Sequence, residues 1–111
     1  MTFKFIGIPY VPFETTFEGS DCWGLVVLYY REMYNIELPE WGDFLFHENF
    51  IEVSNPEEGD IVQVKGNHVG VMLDNRRMLH MKNYSGIERV DSLLWENKIQ
   101  KYLRLNSKRP Q

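Results

Sequence analysis

The strongest constraint on the fold of this chain is a change of hydrophobic period along it. Between Ser20 and Asn35 the apolar residues recur every three or four positions, which predicts a helix with one buried stripe. Ser20 and Asp21 are good N-cap residues and Asn35 is a good C-cap, so the sequence predicts both ends of the helix. The expected stripe consists of Leu25, Val26, Tyr29, Tyr30 and Met33.

After the turn-forming residues 56–59 the period falls to two, which is typical of strands. Turn signals at 66–67 and 74–76 separate the first segments. The predicted strands are residues 61–65, 68–73, 78–82, 87–90 and 101–105. A helix followed by a meandering antiparallel sheet of about five strands belongs to the α+β class. Residues 2–19 are expected to be irregular, and residues 40–55 fit either a packed loop or a second short helix.

Length and charge narrow the class of protein. The 111 residues fit a single domain, residues 1–111. A formal net charge of −4 argues against a general nucleic-acid binder, which usually has a basic face. The single cysteine excludes an internal disulfide. Residues 1–13 lack a cationic start followed by a long apolar run, so we expect no signal peptide, no membrane insertion and, for a cellular protein, a cytoplasmic location.

The first candidate catalytic residue is Cys22, which falls in the predicted first turn of the helix. The unpaired amides and the positive dipole end there favour a thiolate, which is the nucleophilic form of cysteine. The alternative is an inert thiol in the core, because unpaired cysteine is among the most buried residue types. Taken alone, Cys22 favours the inert thiol. The assignment of Cys22 as a nucleophile therefore needs a second observation, a candidate base near the thiol.

His68 and His80 supply a candidate base, since they lie on consecutive predicted strands. If the hairpin centres near Asp74, the two histidines are roughly opposite each other and share a face of the sheet. His68 could then take the thiol proton while His80 fixes its tautomer. A register shift of one residue would instead place His80 on the other face and leave two unrelated polar side chains.

Three histidines and one cysteine also raise the question of a metal site. Zinc takes such ligands, but the chain has no CxxC, HxxxH or HExxH spacing. His47 lies among aromatic residues without a partner at ligand spacing. We therefore expect no metal and no cofactor.

Four short motifs and one tyrosine resemble the NlpC/P60 family of cell-wall cysteine peptidases. Residues 21–26 read DCWGLV and resemble the family's nucleophile motif at a helix start. GDIV at 59–62, HVGV at 68–71 and MLH at 78–80 resemble the strands that open the sheet, carry the base and carry the third catalytic residue. Tyr10 lies 12 residues before Cys22, where the family commonly has a tyrosine near the thiol. The resemblance covers roughly residues 10–105.

The resemblance implies a papain-like fold and hydrolysis of an amide bond in the peptide stems of peptidoglycan, often between D-γ-glutamyl and meso-diaminopimelate residues. Cys22 would be the nucleophile, His68 the base and His80 the residue that orients the base. The backbone amide of Cys22 and the hydroxyl of Tyr10 would stabilise the oxyanion. Asp21 would either pair with a substrate ammonium group or cap the helix.

Trp23 stands where the family often has serine, and a side chain of this size would reshape a neighbouring substrate subsite. Together with GLV at 24–26 and IELP at 36–39, Trp23 resembles the phage-tail-associated branch of the family. That branch implies a location in the virion, at the tail tip. The implied partners are the peptidoglycan stem peptide and other tail-tip proteins.

Three other functions stay open on the sequence. A structural tail-tip protein could keep the same residues in a vestigial or blocked site. A cysteine amidase or acyltransferase of the same fold could act on another substrate, although the order of cysteine before histidine resembles the peptidase branch. A small binding module could use the aromatic residues within 41–50, which by their size are more typical of a core.

Overall fold

The structure is a computed structural model that describes residues 3–38 and 50–106. Within these ranges one α-helix precedes most of the strands, which gives the predicted α+β arrangement. A short 3₁₀ turn at Phe3–Phe5 comes first, and the remaining elements are β1 (Thr15–Thr16), β2 (Gly19–Ser20), α1 (Cys22–Tyr34), β3 (Phe50–Val53), β4 (Ile61–Val64), β5 (His68–Met72), β6 (Arg77–Met81), β7 (Ser85–Arg89) and β8 (Ile99–Leu105). Over the described ranges, no helix is long and apolar enough to cross a membrane.

Helix α1 begins and ends where its capping residues predict. Asp21 Oδ1 accepts a hydrogen bond from the Gly24 amide at 2.7 Å. Asn35 takes the left-handed conformation, with φ of 56°, and its N–H donates to a carbonyl of the last turn. The predicted stripe is buried except for Met33, which is 38% exposed. That expectation was wrong because the last turn packs through Tyr34 instead, whose ring contacts the core.

The main sheet has six antiparallel strands in the order β3-β8-β4-β5-β6-β7. Strands β4 to β7 form the predicted meander. The last strand, β8, does not continue it but crosses back to pair with β4, and β3 adds a sixth strand outside β8. Strand β3 comes from the ambiguous stretch 40–55, where burial does not alternate along the strand and period two is therefore absent. Residues 39–49 of that stretch lie outside the described residues.

The two faces of the sheet are covered by different parts of the chain. Helix α1 packs on one face, against residues that include Val69 and Val71 of β5. On the other face Met72 and Met78 form a second cluster, which residues 90–99 cover through Trp95. Because side chains alternate along a strand, the histidines of β5 and β6 share this second face.

The N-terminal segment, expected to be irregular, is attached to β7 by hydrogen bonds to one residue. The amide and carbonyl of Ser85 pair with the carbonyl of Ile8 and the amide of Gly7, at 2.8 and 2.9 Å. The Ser85 hydroxyl accepts from the Ile8 amide at 2.8 Å and donates to the Phe5 carbonyl at 2.5 Å. The segment then forms the short hairpin β1–β2 directly before α1. These contacts fix the path of the segment, so that Tyr10 lies beside the start of the helix.

Candidate active site

Cys22 is the first residue of α1, and its thiol is partly buried. Burial raises the pKa of this thiol above its ordinary value, and the neighbouring Asp21 carboxylate adds to the effect. Backbone amides, chiefly that of Val69 and then those of Trp23 and Cys22, lower the pKa by a smaller amount. The expected preference for a thiolate at the helix start is therefore outweighed, because desolvation disfavours the charged form.

The contact with the Val69 amide brings the thiol to the start of β5, where His68 is the preceding residue. His68 Nε2 lies 2.9 Å from Nδ1 of His80, and the two rings are nearly perpendicular, at 77°. The predicted pairing of the two imidazoles is therefore present in the structure. Two different parts of the fold supply these groups: the cysteine lies at the N-terminus of α1, and the imidazole pair lies on the β5–β6 hairpin.

The register of that hairpin differs from the expected one. The residue directly opposite His80 is Gly70, so His68 is a diagonal neighbour rather than an opposed one. An offset of two residues keeps both side chains on one face, which is why the predicted contact survives. A Cβ atom on Gly70 would lie 2.8 Å from the Leu79 carbonyl oxygen and 3.0 Å from the His80 Cβ. The glycine thus leaves space for the His80 side chain beside it.

Glu88 extends the chain of polar contacts and was not predicted. Its Oε2 lies 3.0 Å from His80 Nε2 and 3.2 Å from Lys82 Nζ. Its Oε1 accepts a hydrogen bond from Trp95 Nε1 at 2.6 Å. The sequence contains a partial signal for Glu88, because residues two apart on a strand lie on the same face. In the structure Gly86 of β7 opposes His80, so Glu88, two residues further on, is a diagonal neighbour of His80 on the same face.

The environment keeps both histidines neutral and the glutamate ionised near neutral pH. Burial, followed by the proximity of His80, lowers the pKa of His68 to about 4. Burial also lowers the pKa of His80, although the hydrogen bond to Glu88 and its charge oppose this. For Glu88 burial acts to raise the pKa, but hydrogen bonds from Trp95, His80 and Lys82 together lower it.

The other predicted site residues have different surroundings. Asp21 is a cap: besides the Gly24 amide, it accepts a hydrogen bond from the Phe13 amide at 2.9 Å, so both its oxygens have partners. Trp23 is only 5% exposed and packs in the main core. This burial gives Trp23 a packing role in the core, and the expectation that its size reshapes a neighbouring substrate subsite stays a prediction.

Tyr10 lies beside the start of the helix and is half-exposed. Its backbone forms a bridge with Ser20, two residues before Cys22, and its amide donates to the Asn83 carbonyl at 2.9 Å. The backbone of Tyr10 therefore joins β2 to the turn that follows β6.

Within the part of the chain that the structure describes, no three His, Cys, Asp or Glu side chains form a group that could hold a metal ion. His47 and the aromatic residues at 41, 44 and 46 lie outside that part. The expectation of a metal-free site and the alternative of an aromatic binding module therefore rest on the sequence for these residues.

Comparison with known proteins identifies relatives of this arrangement. A profile of the NlpC/P60 family matches residues 7–104. Tail tip assembly protein K of Escherichia phage N15 is 34% identical over 82 residues, covering 54% of this chain and 34% of that protein. The Murein DD-endopeptidase MepS/Murein LD-carboxypeptidase of Escherichia coli K12 is 31% identical over 87 residues, covering 73% of this chain and 46% of that protein. The chain thus spans less than half the length of these two relatives.

Solved structures show the same fold. An NLP/P60 family protein of Staphylococcus aureus Mu50, described as similar to a lipoprotein, superposes with a TM-score of 0.77 at 23% identity, over 92% of this chain and 38% of that one. The NlpC/p60 domain of the peptidoglycan hydrolase SagA superposes with a TM-score of 0.74 at 20% identity, over 94% of this chain and 92% of that one. The predicted fold class is confirmed.

Proposed function

Because this chain belongs to the NlpC/P60 family, we propose that it is a cysteine hydrolase that cleaves amide bonds in the peptide stems of peptidoglycan. Two observations carry the proposal: the Cys22 thiol lies beside the amide of Val69, the residue that follows His68, and the His68 imidazole contacts that of His80. A nucleophile, a base and a group that orients the base are the parts that acyl transfer requires. The names of the MepS and SagA relatives support peptidoglycan as the substrate.

The proposed reaction starts from a neutral thiol and a neutral imidazole. As the Cys22 sulfur attacks the carbonyl carbon, His68 takes the thiol proton, and the amide oxygen becomes an oxyanion. The Cys22 amide at the helix start and the Tyr10 hydroxyl are the candidate donors to that oxyanion. The His68 imidazolium then protonates the leaving amine, and a thioester forms. Water, deprotonated by His68, attacks the thioester and releases the carboxylic acid together with the free thiol.

The finer assignment is an endopeptidase of the D-γ-glutamyl–diaminopimelate type, acting as a tail or tail-tip component of a phage. The resemblance of the 21–26 and 36–39 segments to the phage-tail-associated branch supports the location. The similarity to the tail tip assembly protein of phage N15 supports it further. Other tail-tip proteins are then the expected partners.

The test is digestion of purified peptidoglycan, with mass spectrometry of the released muropeptides. We expect stems cut at one amide bond by the wild-type protein and no cleavage by Cys22→Ala, because removing the sulfur removes the nucleophile at little cost in volume. Cleavage by Cys22→Ala would refute the mechanism. Transfer of the acyl group to an added amine instead of water would identify an acyltransferase.

A structural tail-tip role predicts a different result. In that case neither wild type nor Cys22→Ala releases muropeptides, and Cys22 reacts with a thiol-directed alkylating agent no faster than free cysteine. Alkylation of Cys22 faster than in the His68→Ala variant supports a base next to the thiol, because removal of a proton by His68 generates the nucleophilic form.

A further inference from the structure

Glu88 has partners that leave it a single hydrogen-bonding role. Trp95 Nε1–H donates to Oε1 at 2.6 Å, and the Lys82 ammonium group lies 3.2 Å from Oε2. An indole N–H and an ammonium group are donors only. The carboxylate between them therefore accepts at both oxygens, and it must also accept from His80 Nε2, which lies 3.0 Å from Oε2.

This acceptor role determines where the protons lie on both imidazoles. A neutral imidazole carries one N–H and one lone pair. If His80 donates from Nε2 to Glu88, its Nδ1 holds the lone pair. The 2.9 Å contact between His80 Nδ1 and His68 Nε2 then requires that His68 donate from Nε2. The remaining nitrogen of His68, Nδ1, is left unprotonated.

We propose that Glu88 is a positioning residue that fixes the tautomers of His80 and His68, so that His68 presents an unprotonated Nδ1 as the base for Cys22. The inference rests on the function proposed above, and it adds a fourth residue to the Cys22, His68 and His80 set. Glu88 is held in place by Trp95, whose indole ring stacks over His68 at 25° and meets His80 edge-on. The same residue therefore orients the carboxylate and covers the rings that the carboxylate controls.

Glu88→Gln is a sharp test because Trp95 determines which way the new amide points. Trp95 Nε1–H needs an acceptor, so the amide oxygen is held on its side. Lys82 cannot compete, since its side chain is 61% exposed and its ammonium group can turn to solvent. The amide NH₂ then faces His80 Nε2, which must accept. The proton moves to His80 Nδ1, His68 Nε2 becomes an acceptor, and Nδ1 of His68 becomes protonated.

The measurement is ¹⁵N NMR of the imidazole nitrogens at neutral pH, with signals assigned through the His47→Gln and His68→Gln variants. We expect the Nε2–H tautomer at His68 in the wild type and the Nδ1–H tautomer in Glu88→Gln. The matched control is Glu96→Gln, which makes the same change on an exposed residue beside Trp95. It should leave both tautomers as in the wild type. An unchanged His68 tautomer in Glu88→Gln overturns the proposal.

A double variant separates tautomer control from general damage to the site. Trp95→Phe keeps an aromatic ring against the histidines but removes the N–H. In Glu88→Gln/Trp95→Phe the amide is free to turn its oxygen towards His80 and Lys82, which restores the Nε2–H tautomer at His68. We expect this rescue in the NMR spectrum. A double variant that keeps the inverted tautomer contradicts the assigned role of Trp95 and with it the proposal.

Activity on peptidoglycan gives a second readout. We expect Glu88→Gln to lower kcat on the order of 10²-fold or more with little change in KM, because the base is lost while substrate contacts remain. The double variant should recover a large part of kcat. The tautomers are measured without substrate, so an inactive wild-type protein would refute the proposed function while leaving the NMR test of Glu88 decisive.

Discussion

At the scale of single residues, burial rather than helix position sets the resting charge of the site. A helix N-terminus stabilises a thiolate through its unpaired amide N–H groups and its positive dipole end, which lowers the pKa of the thiol. Desolvation acts on the same group in the opposite direction, and for Cys22 it is the larger effect. Burial likewise disfavours the imidazolium form of His68. The two groups therefore rest as a neutral pair, and in the proposed mechanism the proton moves only when the sulfur attacks.

This neutral pair can be tested by titration. A thiol is charged when deprotonated, so burial raises its pKa, whereas an imidazole is charged when protonated, so burial lowers its pKa. We expect the ultraviolet absorbance of the Cys22 thiolate to rise only above the ordinary value of 9.0, with Cys22→Ser as the blank. His68 should titrate near pH 4 instead of 6.5 in an NMR experiment. A thiolate present at pH 7 would show that an ion pair is the resting state.

At the scale of elements, the site depends on how closely the start of α1 approaches the β1–β2 hairpin. A Cβ atom on Gly24 would lie 2.1 Å from the Glu14 carbonyl oxygen and 3.0 Å from Thr15 Oγ1. No side chain fits there, so glycine is required although it is a poor helix former. The same turn carries the cap by Asp21. Packing and capping together position the helix end that bears Cys22, the proposed nucleophile.

Gly24→Ala should therefore destabilise the protein despite its better helix propensity. The propensity gain is about 1 kcal/mol, whereas forcing a methyl group against a backbone carbonyl costs about 1–3 kcal/mol and moves the helix start. We expect a lower urea midpoint than in the wild type. We also expect a reduced kcat without urea, where the variant is still folded, because the helix start has moved. Gly86→Ala is the matched control, since its Cβ would meet nothing within 4 Å. Equal urea midpoints for the two variants would contradict this account.

At the scale of the whole molecule, a buried ion pair joins the middle of the chain to β8, the last strand that the structure describes. The Asp60 carboxylate is fully buried and accepts two hydrogen bonds from Arg104 on β8, at 2.9 and 2.8 Å. It also accepts from the Glu57 amide at 2.7 Å. The contact lies where β8 crosses back to pair with β4, so it supports the register that closes the sheet.

Removing the cation should be costly, because it leaves a buried carboxylate without its partner. We expect Arg104→Met to lower the free energy of unfolding by about 3–5 kcal/mol, measured in urea. Arg89→Met serves as the control, since Arg89 pairs with Asp91 at the surface and its loss should have no measurable effect. Adding Asp60→Asn to Arg104→Met should recover part of the loss. Similar values for Arg104→Met and Arg89→Met would show that the buried pair is not a major support.

Much of this protein was predictable from its sequence because much of it is local. Helix α1 follows from its hydrophobic period and from Asp21 and Asn35, which act within a few residues. The strands β4 to β8 follow from alternation and turn residues, and the candidate thiol and imidazoles follow from their places on those elements. Local patterns also gave the α+β class, since they fix the type and order of elements.

The tertiary structure decided the features that depend on contacts between residues distant in sequence. The burial of Trp23 in the core depends on what packs over the helix start. The place of β8 between β3 and β4 depends on long-range pairing, as does the diagonal register that sets His80 between His68 and Glu88. The resting charge of Cys22 depends on desolvation, which counts every atom that surrounds the thiol and has no signature in any single stretch of sequence.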